Sequence, residues 1–184
     1  MRIIGGRFRG RALQAPKGGE TRPTTDRVRE ALFNLLAARR ALDGARVLDL
    51  FAGTGALALE AISRGAAAAT LVEQHGPTLR LARRNAAALG AEGACRFLRD
   101  DAVAVLRRPP TTPFDLVFAD PPYALGALPD LPDLARPHLA DGGLLALEHD
   151  ARHDFAEHPA LVVSRSYGRT VVSIFGGDPG APAP

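Results

Sequence analysis

The tetrapeptide Asp120-Pro121-Pro122-Tyr123 follows the apolar residues 114–119 and combines groups that suit the exocyclic amine of a nucleic-acid base. Such an amine is a poor nucleophile because its lone pair is delocalised into the ring. The Asp120 carboxylate and a backbone carbonyl, expected to be that of Pro121, could accept both N–H bonds and stabilise the cationic nitrogen as it forms. Two prolines stiffen the loop, and the Tyr123 ring could stack on the base. The tetrapeptide therefore predicts a site that activates an amine.

A glycine-rich turn supplies the second group of candidate residues. Gly53, Thr54 and Gly55 follow an apolar strand that ends near Asp49. Glycines let the backbone turn tightly and approach a ligand, and the helix that begins there presents N–H groups. The glycine spacing, with Glu73 twenty residues after Gly53, also fits a dinucleotide-binding fingerprint. A nicotinamide- or flavin-dependent oxidoreductase therefore stays an alternative at this point.

Acidic residues at the ends of the predicted strands favour a different cofactor. Asp49 precedes the glycines, where an anion would repel a pyrophosphate but suits the ammonium or sulfonium group of S-adenosylmethionine. Glu73 is placed to bind a ribose, and Asp101, beside Asp100, to meet an adenine amino group. Each of these two aspartates could instead cap the helix that begins at Ala102, and Asp49 could be a strand-end cap. The acids predict S-adenosylmethionine as the cofactor.

Alternating strands and helices must position these residues. The predicted strands span residues 46–50, 68–73, 95–98, 114–119 and 144–148, with a closing hairpin of residues 161–164 and 170–175. The predicted helices between them span residues 57–63, 78–89 and 103–107, with a further one around Leu134. This order predicts an α/β, Rossmann-like fold with a mainly parallel, doubly wound, seven-stranded sheet and a C-terminal antiparallel hairpin. Ligands of such sheets bind at the carboxyl ends of the strands.

The N-terminal part of the chain differs from the rest in charge. Residues 1–46 carry eleven of the 23 Lys and Arg residues but only four of the 20 acids. We expect residues 1–44 to form a basic extension of a short hairpin and a helix, packed on a methyltransferase domain of residues 45–175. Residues 176–184 are expected to be a disordered tail. The basic extension predicts a polyanionic partner, although an Arg-rich composition also fits a GC-rich genome.

Three arginines are the candidate RNA contacts. Arg7, Arg9 and Arg11 alternate along the first predicted hairpin and would share one face of it. The chain contains no apolar run near the roughly 20 residues of a membrane span. Cys95 is the only cysteine, which excludes an intramolecular disulfide and a cysteine-only metal cluster. We expect a cytoplasmic monomer with no metal and no membrane contact.

The motifs together resemble the bacterial 16S rRNA guanine-N2 methyltransferases, the RsmD-like family. The resemblance extends from Met1 to the Tyr167-Gly168 turn, and its most specific stretch is residues 21–34, TRPTTDRVREALFN. It implies a class I methyltransferase fold and S-adenosylmethionine as the methyl donor. It also implies a guanine of 16S rRNA as the acceptor, on the small ribosomal subunit or an assembly intermediate.

Residue roles follow from the resemblance by position. Asp49 and the turn Gly53-Thr54-Gly55 would border the methionine part of the cofactor, Glu73 the ribose and Asp101 the adenine. Asp120, Pro121, Pro122 and Tyr123 would hold the guanine. Arg22 and Thr24 would line the cofactor or base pocket from the N-terminal side. Asp100 stands where relatives often have glycine, which leaves open which of the two aspartates meets the adenine.

Three alternatives stay open besides this assignment. A DNA adenine-N6 or cytosine-N4 methyltransferase can use the same tetrapeptide, but the chain shows no separate target-recognition segment. An NAD-dependent oxidoreductase is disfavoured by Asp49 and by the tetrapeptide. A non-catalytic RNA-binding protein is disfavoured because every expected site residue is present.

Overall fold

A computed structural model describes residues 1–15 and 26–176. Its centre is a seven-stranded sheet in the order β3-β2-β1-β4-β5-β7-β6. The strands are β1 Arg46–Asp49, β2 Ala68–Val72, β3 Cys95–Leu98, β4 Phe114–Ala119, β5 Leu139–Asp150, β6 Leu161–Tyr167 and β7 Thr170–Gly176. Strands β1 to β5 are parallel, and β7 runs antiparallel to both β5 and β6. The predicted fold class and the closing hairpin are confirmed.

Helices cover both faces of the sheet and bury two apolar cores. The helices are α1 Asp26–Ala37, α2 Ala56–Ser63, α3 Gly76–Leu89, α4 Ala102–Leu106 and α5 Leu131–Ala135. In the middle of β1, Val47 belongs to the core under α1, α2 and α3, whereas Leu48 belongs to the core under α4 and α5. Successive side chains of a strand point to opposite faces, so a strand buried on both faces is a continuous apolar run.

The fifth strand begins earlier than predicted. The sequence predicts this strand over residues 144–148, but β5 starts at Leu139 and runs through Asp141-Gly142-Gly143 to Asp150. Its register with β4 shifts between the Phe114–Leu139 and Leu116–Leu144 pairs, which marks an irregularity in the pairing. A Cβ at Gly143 would lie only 2.9 Å from the Phe114 carbonyl oxygen. The glycine therefore permits a close backbone approach within a strand and does not end the strand.

The prediction that Arg7, Arg9 and Arg11 alternate along a strand is wrong. The antiparallel pairing of residues 1–15 is reduced to one bridge between Arg2 and Ala12, and residues 6–8 form a 3₁₀ turn. The turn is held on the C-terminal end of α2, because the Phe8 N–H donates to Ser63 Oγ at 2.9 Å. Gly6 has φ 73°, and a Cβ there would meet the Ser63 carbonyl oxygen at 1.9 Å. All three arginines are nevertheless exposed.

A buried carboxylate fixes the N-terminal segment on the helices. Glu60 of α2 is fully buried and accepts the Ile4 and Gly5 N–H groups at 2.7 and 2.8 Å. It also accepts Arg64 Nε at 2.7 Å and lies 4.0 Å from Arg29 Nε of α1. The apolar residues Ile3 and Leu13 of the segment lie in the same core as α1, α2 and α3. The segment therefore shares one core with the sheet.

Some predictions fall on residues outside the described ranges. Arg22 and Thr24, expected near the cofactor or base, lie there, as do residues 177–184 of the expected tail. No helix within residues 1–15 and 26–176 is long and apolar enough to cross a membrane. The same residues contain no group of three or more His, Cys, Asp or Glu side chains arranged to hold a metal ion.

Candidate active site

The acidic residues predicted to bind ligands all lie at the carboxyl ends of neighbouring parallel strands. Glu73 directly follows β2, Asp49 is the last residue of β1, and Asp120 directly follows β4; Asp100 and Asp101 come two and three residues after β3. The chain passes from β1 to β2 and β3 on one side and returns to β4 on the other, so the pair β1–β4 is the topological switch point. Ligands of open α/β sheets bind in the crevice at such a point.

The glycine turn brings the backbone close to the sheet. Gly55, the residue before α2, has φ 81° and lies so near β2 that a Cβ would meet Leu71 Cδ2 at 3.0 Å. Asn85 of α3 holds the turn from the other side, because its Nδ2 donates to the Thr54 carbonyl at 3.0 Å. A side chain at Gly55 would push α2 away from the strand. The sequence therefore needs glycine there for close helix–strand packing.

Asp49 is buried, and one of its two oxygens has no partner. Its Oδ2 accepts the Ala58 N–H of α2 at 3.2 Å, whereas Oδ1 is buried without a hydrogen bond in the part of the chain described. Burial, and to a lesser extent the nearby negative charge of Glu73, raise the pKa of Asp49 to about 7, against the lowering effect of the Ala58 and Phe51 N–H groups. A buried carboxylate oxygen without a donor is costly unless a ligand supplies one. The site therefore fits a cationic donor such as an ammonium group.

Glu73 is anchored to the backbone on both of its oxygens. Oε2 accepts the Gly53 N–H at 3.1 Å, and Oε1 accepts the His75 N–H at 2.7 Å. These bonds fix the carboxylate between the glycine turn and the start of α3. Each oxygen keeps a second acceptor position, as a carboxylate has about four lone-pair sites. Glu73 is half-buried, which leaves part of it accessible to a ligand hydroxyl.

The two aspartates after β3 have different structural roles. Asp100 pairs with Arg108 through two hydrogen bonds of 2.6 and 3.2 Å, and this hydrogen bonding holds the pKa of Asp100 below its usual range. Asp101 caps α4, because its Oδ1 accepts the Ala104 N–H at 2.8 Å. Capping was the alternative role foreseen for this pair. Asp101 uses one oxygen for the cap and therefore keeps more acceptor capacity than Asp100.

The tetrapeptide after β4 forms a turn beside β5 and β7. The Pro122 carbonyl accepts the Leu125 N–H at 2.8 Å, whereas no described residue donates to the Pro121 carbonyl. The Tyr123 hydroxyl lies 3.3 Å from Thr170 Oγ1 of β7 and 3.4 Å from Glu148 Oε1 of β5. Burial raises the pKa of Tyr123, and the nearby acids Glu148 and Asp120 raise it further. The ring is thereby held at its hydroxyl end.

Glu148 belongs to this site and was missed by the sequence reasoning. Ala119 of β4 pairs with Leu147 of β5, which places Glu148 level with Asp120 on the neighbouring strand. Glu148 is 9% exposed. Its signal in the sequence was an acid closing the apolar run 144–147, the same pattern that singled out Glu73. Two carboxylates and a phenol thus share one end of the crevice.

Comparisons with known proteins identify the family. The model of the family described as "Conserved hypothetical protein 95" matches residues 1–176. The Escherichia coli protein "Ribosomal RNA small subunit methyltransferase D" is 43% identical over 162 residues, covering 87% of this chain and 80% of that protein. The chain belongs to this methyltransferase family. Bacillus subtilis YlbH, another relative of the family, is 36% identical over 182 residues, covering 95% of this chain and 98% of that protein.

The fold of the family matches the structure along the chain. The solved structure of the Escherichia coli yhhF protein superposes with a TM-score of 0.83 at 39% sequence identity, covering 96% of this chain and 97% of that one. The family assignment confirms the resemblance inferred from the motifs and the prediction that the protein is a methyltransferase. Within this methyltransferase family fold, Asp49, Glu73 and Asp120 line one edge of the sheet. Their individual roles stay predictions.

Proposed function

We propose that this protein transfers the methyl group of S-adenosylmethionine to the N2 amine of a guanine in 16S ribosomal RNA, on the small subunit or an assembly intermediate. The observation that carries the proposal is the arrangement of residues at the carboxyl ends of the neighbouring strands β1 and β4. A buried carboxylate with an unpartnered oxygen, Asp49, closes one strand, and the amine-binding tetrapeptide, beginning at Asp120, follows the other. A cofactor site and an acceptor site therefore adjoin at the switch point.

The cofactor part of the crevice fits S-adenosylmethionine. Asp49 Oδ1 would accept the ammonium group of the methionine part, which satisfies the buried oxygen. Glu73, held by two backbone N–H groups, would accept the ribose hydroxyls. Asp101, whose second oxygen is not used by the helix cap, would accept the adenine amine. When bound, S-adenosylmethionine would supply a methyl carbon for the amine nitrogen to attack, with the carbon–sulfur bond breaking and neutral S-adenosylhomocysteine leaving.

The acceptor part of the crevice would activate the guanine amine. The Asp120 carboxylate and the Pro121 carbonyl would accept its two N–H bonds, so that the nitrogen lone pair points away from both. The carboxylate also stabilises the positive charge that develops on the nitrogen during transfer. The Tyr123 ring, held by Glu148 and Thr170, would stack on the base. Pro121 and Pro122 keep the carbonyl from turning away.

The exposed arginines near the N-terminus support a polyanionic acceptor. Arg7, Arg9 and Arg11 lie around the 3₁₀ turn at the C-terminal end of α2. Since α2 begins at the glycine turn, this place is about 12 Å from the crevice along the helix axis. Arginines at that distance would contact the RNA backbone outside the target nucleotide. Their role would be to position the RNA, whereas the tetrapeptide would select the base.

Methyl transfer to a panel of acceptors tests the proposal. The protein is incubated with tritiated S-adenosylmethionine and unmodified small subunits, total RNA, DNA or total protein. Protein is included because a side-chain amide nitrogen has the same delocalised lone pair as a base amine. We expect label in small-subunit RNA, recovered as N2-methylguanosine after digestion, and an initial rate about 10²–10³-fold lower with Asp120→Ala. Label in adenine or cytosine of DNA would favour the alternative DNA methyltransferase, and label in protein would contradict both.

A further inference from the structure

Helix α3 carries an unusual concentration of exposed positive charge. Arg80, Arg83 and Arg84 lie on its exposed face, and residues 76–89 contain no acid. Among the described residues, Arg83 is the member that reaches a carboxylate, Glu92 at 3.9 Å, and it also lies 4.9 Å from the centre of the Phe97 ring. Like charges at positions i and i+4 destabilise a helix, so Arg80 and Arg84 bring no local benefit to α3.

The N-terminal segment adds a further arginine to this helix. Arg11 Nη2 donates to the Ala88 carbonyl at 2.7 Å. Ala88 comes four residues after Arg84, which in turn comes four residues after Arg80, so these two arginines and the Arg11 contact lie in one row along α3. Consecutive members are about 6 Å apart along the helix axis. The N-terminal segment is held at this place on α3 by two hydrogen bonds. The Gln14 N–H donates to Asn85 Oδ1 at 2.9 Å, and Asn85 Nδ2 donates to the Gln14 carbonyl at 3.1 Å.

Arginines and acids are also unevenly distributed between the two sides of the sheet. Residues 76–108, which include α3 and the edge strand β3, contain seven arginines and three acids. Residues 109–176 contain four arginines and nine acids. The positive charge thus continues from the N-terminal segment onto the β3 side of the sheet, and the side of β5, β6 and β7 is negative. A polyanion would be attracted to the β3 side and repelled from the other.

We propose that the line of Arg80, Arg84 and Arg11 binds the phosphate backbone of the RNA and leads it to the crevice. Helix α3 begins at Gly76, three residues after Glu73, so the Arg80 end of the line is nearest the carboxyl edge of the sheet. The Arg11 end continues toward Arg9 and Arg7 on the N-terminal turn. The α3 line therefore connects the N-terminal arginines with the catalytic edge. The identity of the polyanion as RNA rests on the proposed function.

Charge reversal with a matched control tests this surface. In the test variant Arg80→Glu is combined with Arg84→Glu, and in the control Arg136→Glu is combined with Arg165→Glu. The control changes the charge equally at two exposed arginines, one just before β5 and one on β6. Binding to a 16S rRNA fragment is measured by fluorescence anisotropy across salt concentrations. We expect the slope of log K against log salt to become shallower by about 1.4–1.8 in the test variant, which is the change for the loss of two phosphate contacts. In the control the slope should stay unchanged.

A neutral variant and two further readouts separate the possible outcomes. Arg80→Gln with Arg84→Gln removes the contacts without adding repulsion and should give the same change of slope. Affinity for S-adenosylhomocysteine and the melting temperature should stay at the wild-type values, and the KM for small subunits should rise with little change in kcat. Equal slopes for the test variants and the control overturn the inference. If the wild type binds RNA with the α3-dependent slope but methylates another acceptor, the proposed function fails and the RNA surface stands.

Discussion

Glu73 Oε2 accepts the Gly53 N–H at 3.1 Å and so ties the end of β2 to the glycine turn after β1. The carboxylate that would bind the ribose therefore also sets the shape of the turn that approaches the cofactor. A second bond, from the His75 N–H, fixes it at the start of α3. Glu73 is for this reason positioned before any ligand arrives, which lowers the entropic cost of binding.

Glu73→Ala is expected to weaken the binding of S-adenosylhomocysteine by about 1.5–3 kcal/mol, the range for hydrogen bonds to a charged group. Calorimetry measures the dissociation constant directly. Glu92→Ala removes the same charge from an exposed position after α3 and should leave the constant unchanged. Equal affinities of Glu73→Ala and Glu92→Ala would place the ribose elsewhere along the edge.

Asp49 is expected to make the ligand-free protein less stable as the pH rises. Its folded-state pKa of about 7 lies above its unfolded value, so the protonated form is the one that folding favours. Protonated Asp49 contributes as much as about 4 kcal/mol to the free energy of unfolding. This contribution is complete below about pH 4 and is lost as the pH rises through 7. Urea unfolding at pH 5 and pH 8 measures it. Asp49→Asn should remove most of this pH dependence, and an unchanged dependence would assign it to other groups.

Cofactor binding should favour the ionised form of Asp49, whereas the ligand-free protein favours the protonated form. An ammonium group beside Oδ1 favours the ionised carboxylate, so binding lowers the pKa and releases a proton between about pH 4 and pH 7. Calorimetry of S-adenosylhomocysteine binding at pH 6 in buffers of different ionisation enthalpy measures this release. We expect a fraction of a proton per site in the wild type and less in Asp49→Asn. Equal proton release in the two proteins would show that the ammonium group does not meet Asp49.

Glu60→Gln is expected to loosen the N-terminal segment. The variant keeps the shape of the side chain but leaves Arg29 and Arg64 without their buried negative partner. Breaking such a buried pair costs about 3–5 kcal/mol. Urea unfolding measures the loss, and faster proteolysis between residues 1 and 15 would locate it. Glu92→Gln, at an exposed pair, should change stability by less than about 1 kcal/mol.

The sheet and its ligand-binding edge could be predicted because their signals are local. Apolar runs such as residues 114–119 mark strands, and the acid that follows each run then falls on the carboxyl edge of a parallel sheet. Asp49, Glu73 and Asp120 were found in this way. Glu148 satisfied the same rule, but neither a glycine turn nor the tetrapeptide stands beside it in the sequence. The position of Glu148 beside Asp120 depends on the register between β4 and β5, which no local sequence pattern predicts.

The N-terminal contacts could not be predicted, because they join distant parts of the chain. Glu60 lies within an apolar helix, and nothing in its neighbours shows that Ile4 and Gly5 donate to it across more than fifty residues. The alternation of Arg7, Arg9 and Arg11 suggested a strand, but Gly6 fits closely against Ser63 and turns the chain instead. Tertiary contact here outweighs local preference, as it commonly does for short segments.

Asp120→Ala is expected to lower the rate of methyl transfer by about 10²–10³-fold, the typical effect of removing one preorganised transition-state partner. Cofactor affinity should survive, because Asp120 follows β4 whereas the proposed cofactor groups follow β1, β2 and β3. RNA affinity should fall only modestly, since Tyr123 keeps its contacts with β5 and β7. Single-turnover assays at saturating cofactor isolate the transfer step from product release.

Asp120→Asn separates the charge of this side chain from its hydrogen bond. The amide oxygen still accepts one N–H bond but carries no negative charge to stabilise the developing cationic nitrogen. Its rate should therefore lie between those of the wild type and Asp120→Ala. Equal rates for the two variants would mean that the charge, and not the hydrogen bond, carries the effect. A wild-type rate for Asp120→Ala, with methylated RNA confirmed as the product, would remove Asp120 from the chemistry and leave Glu148 as the carboxylate nearest to Tyr123.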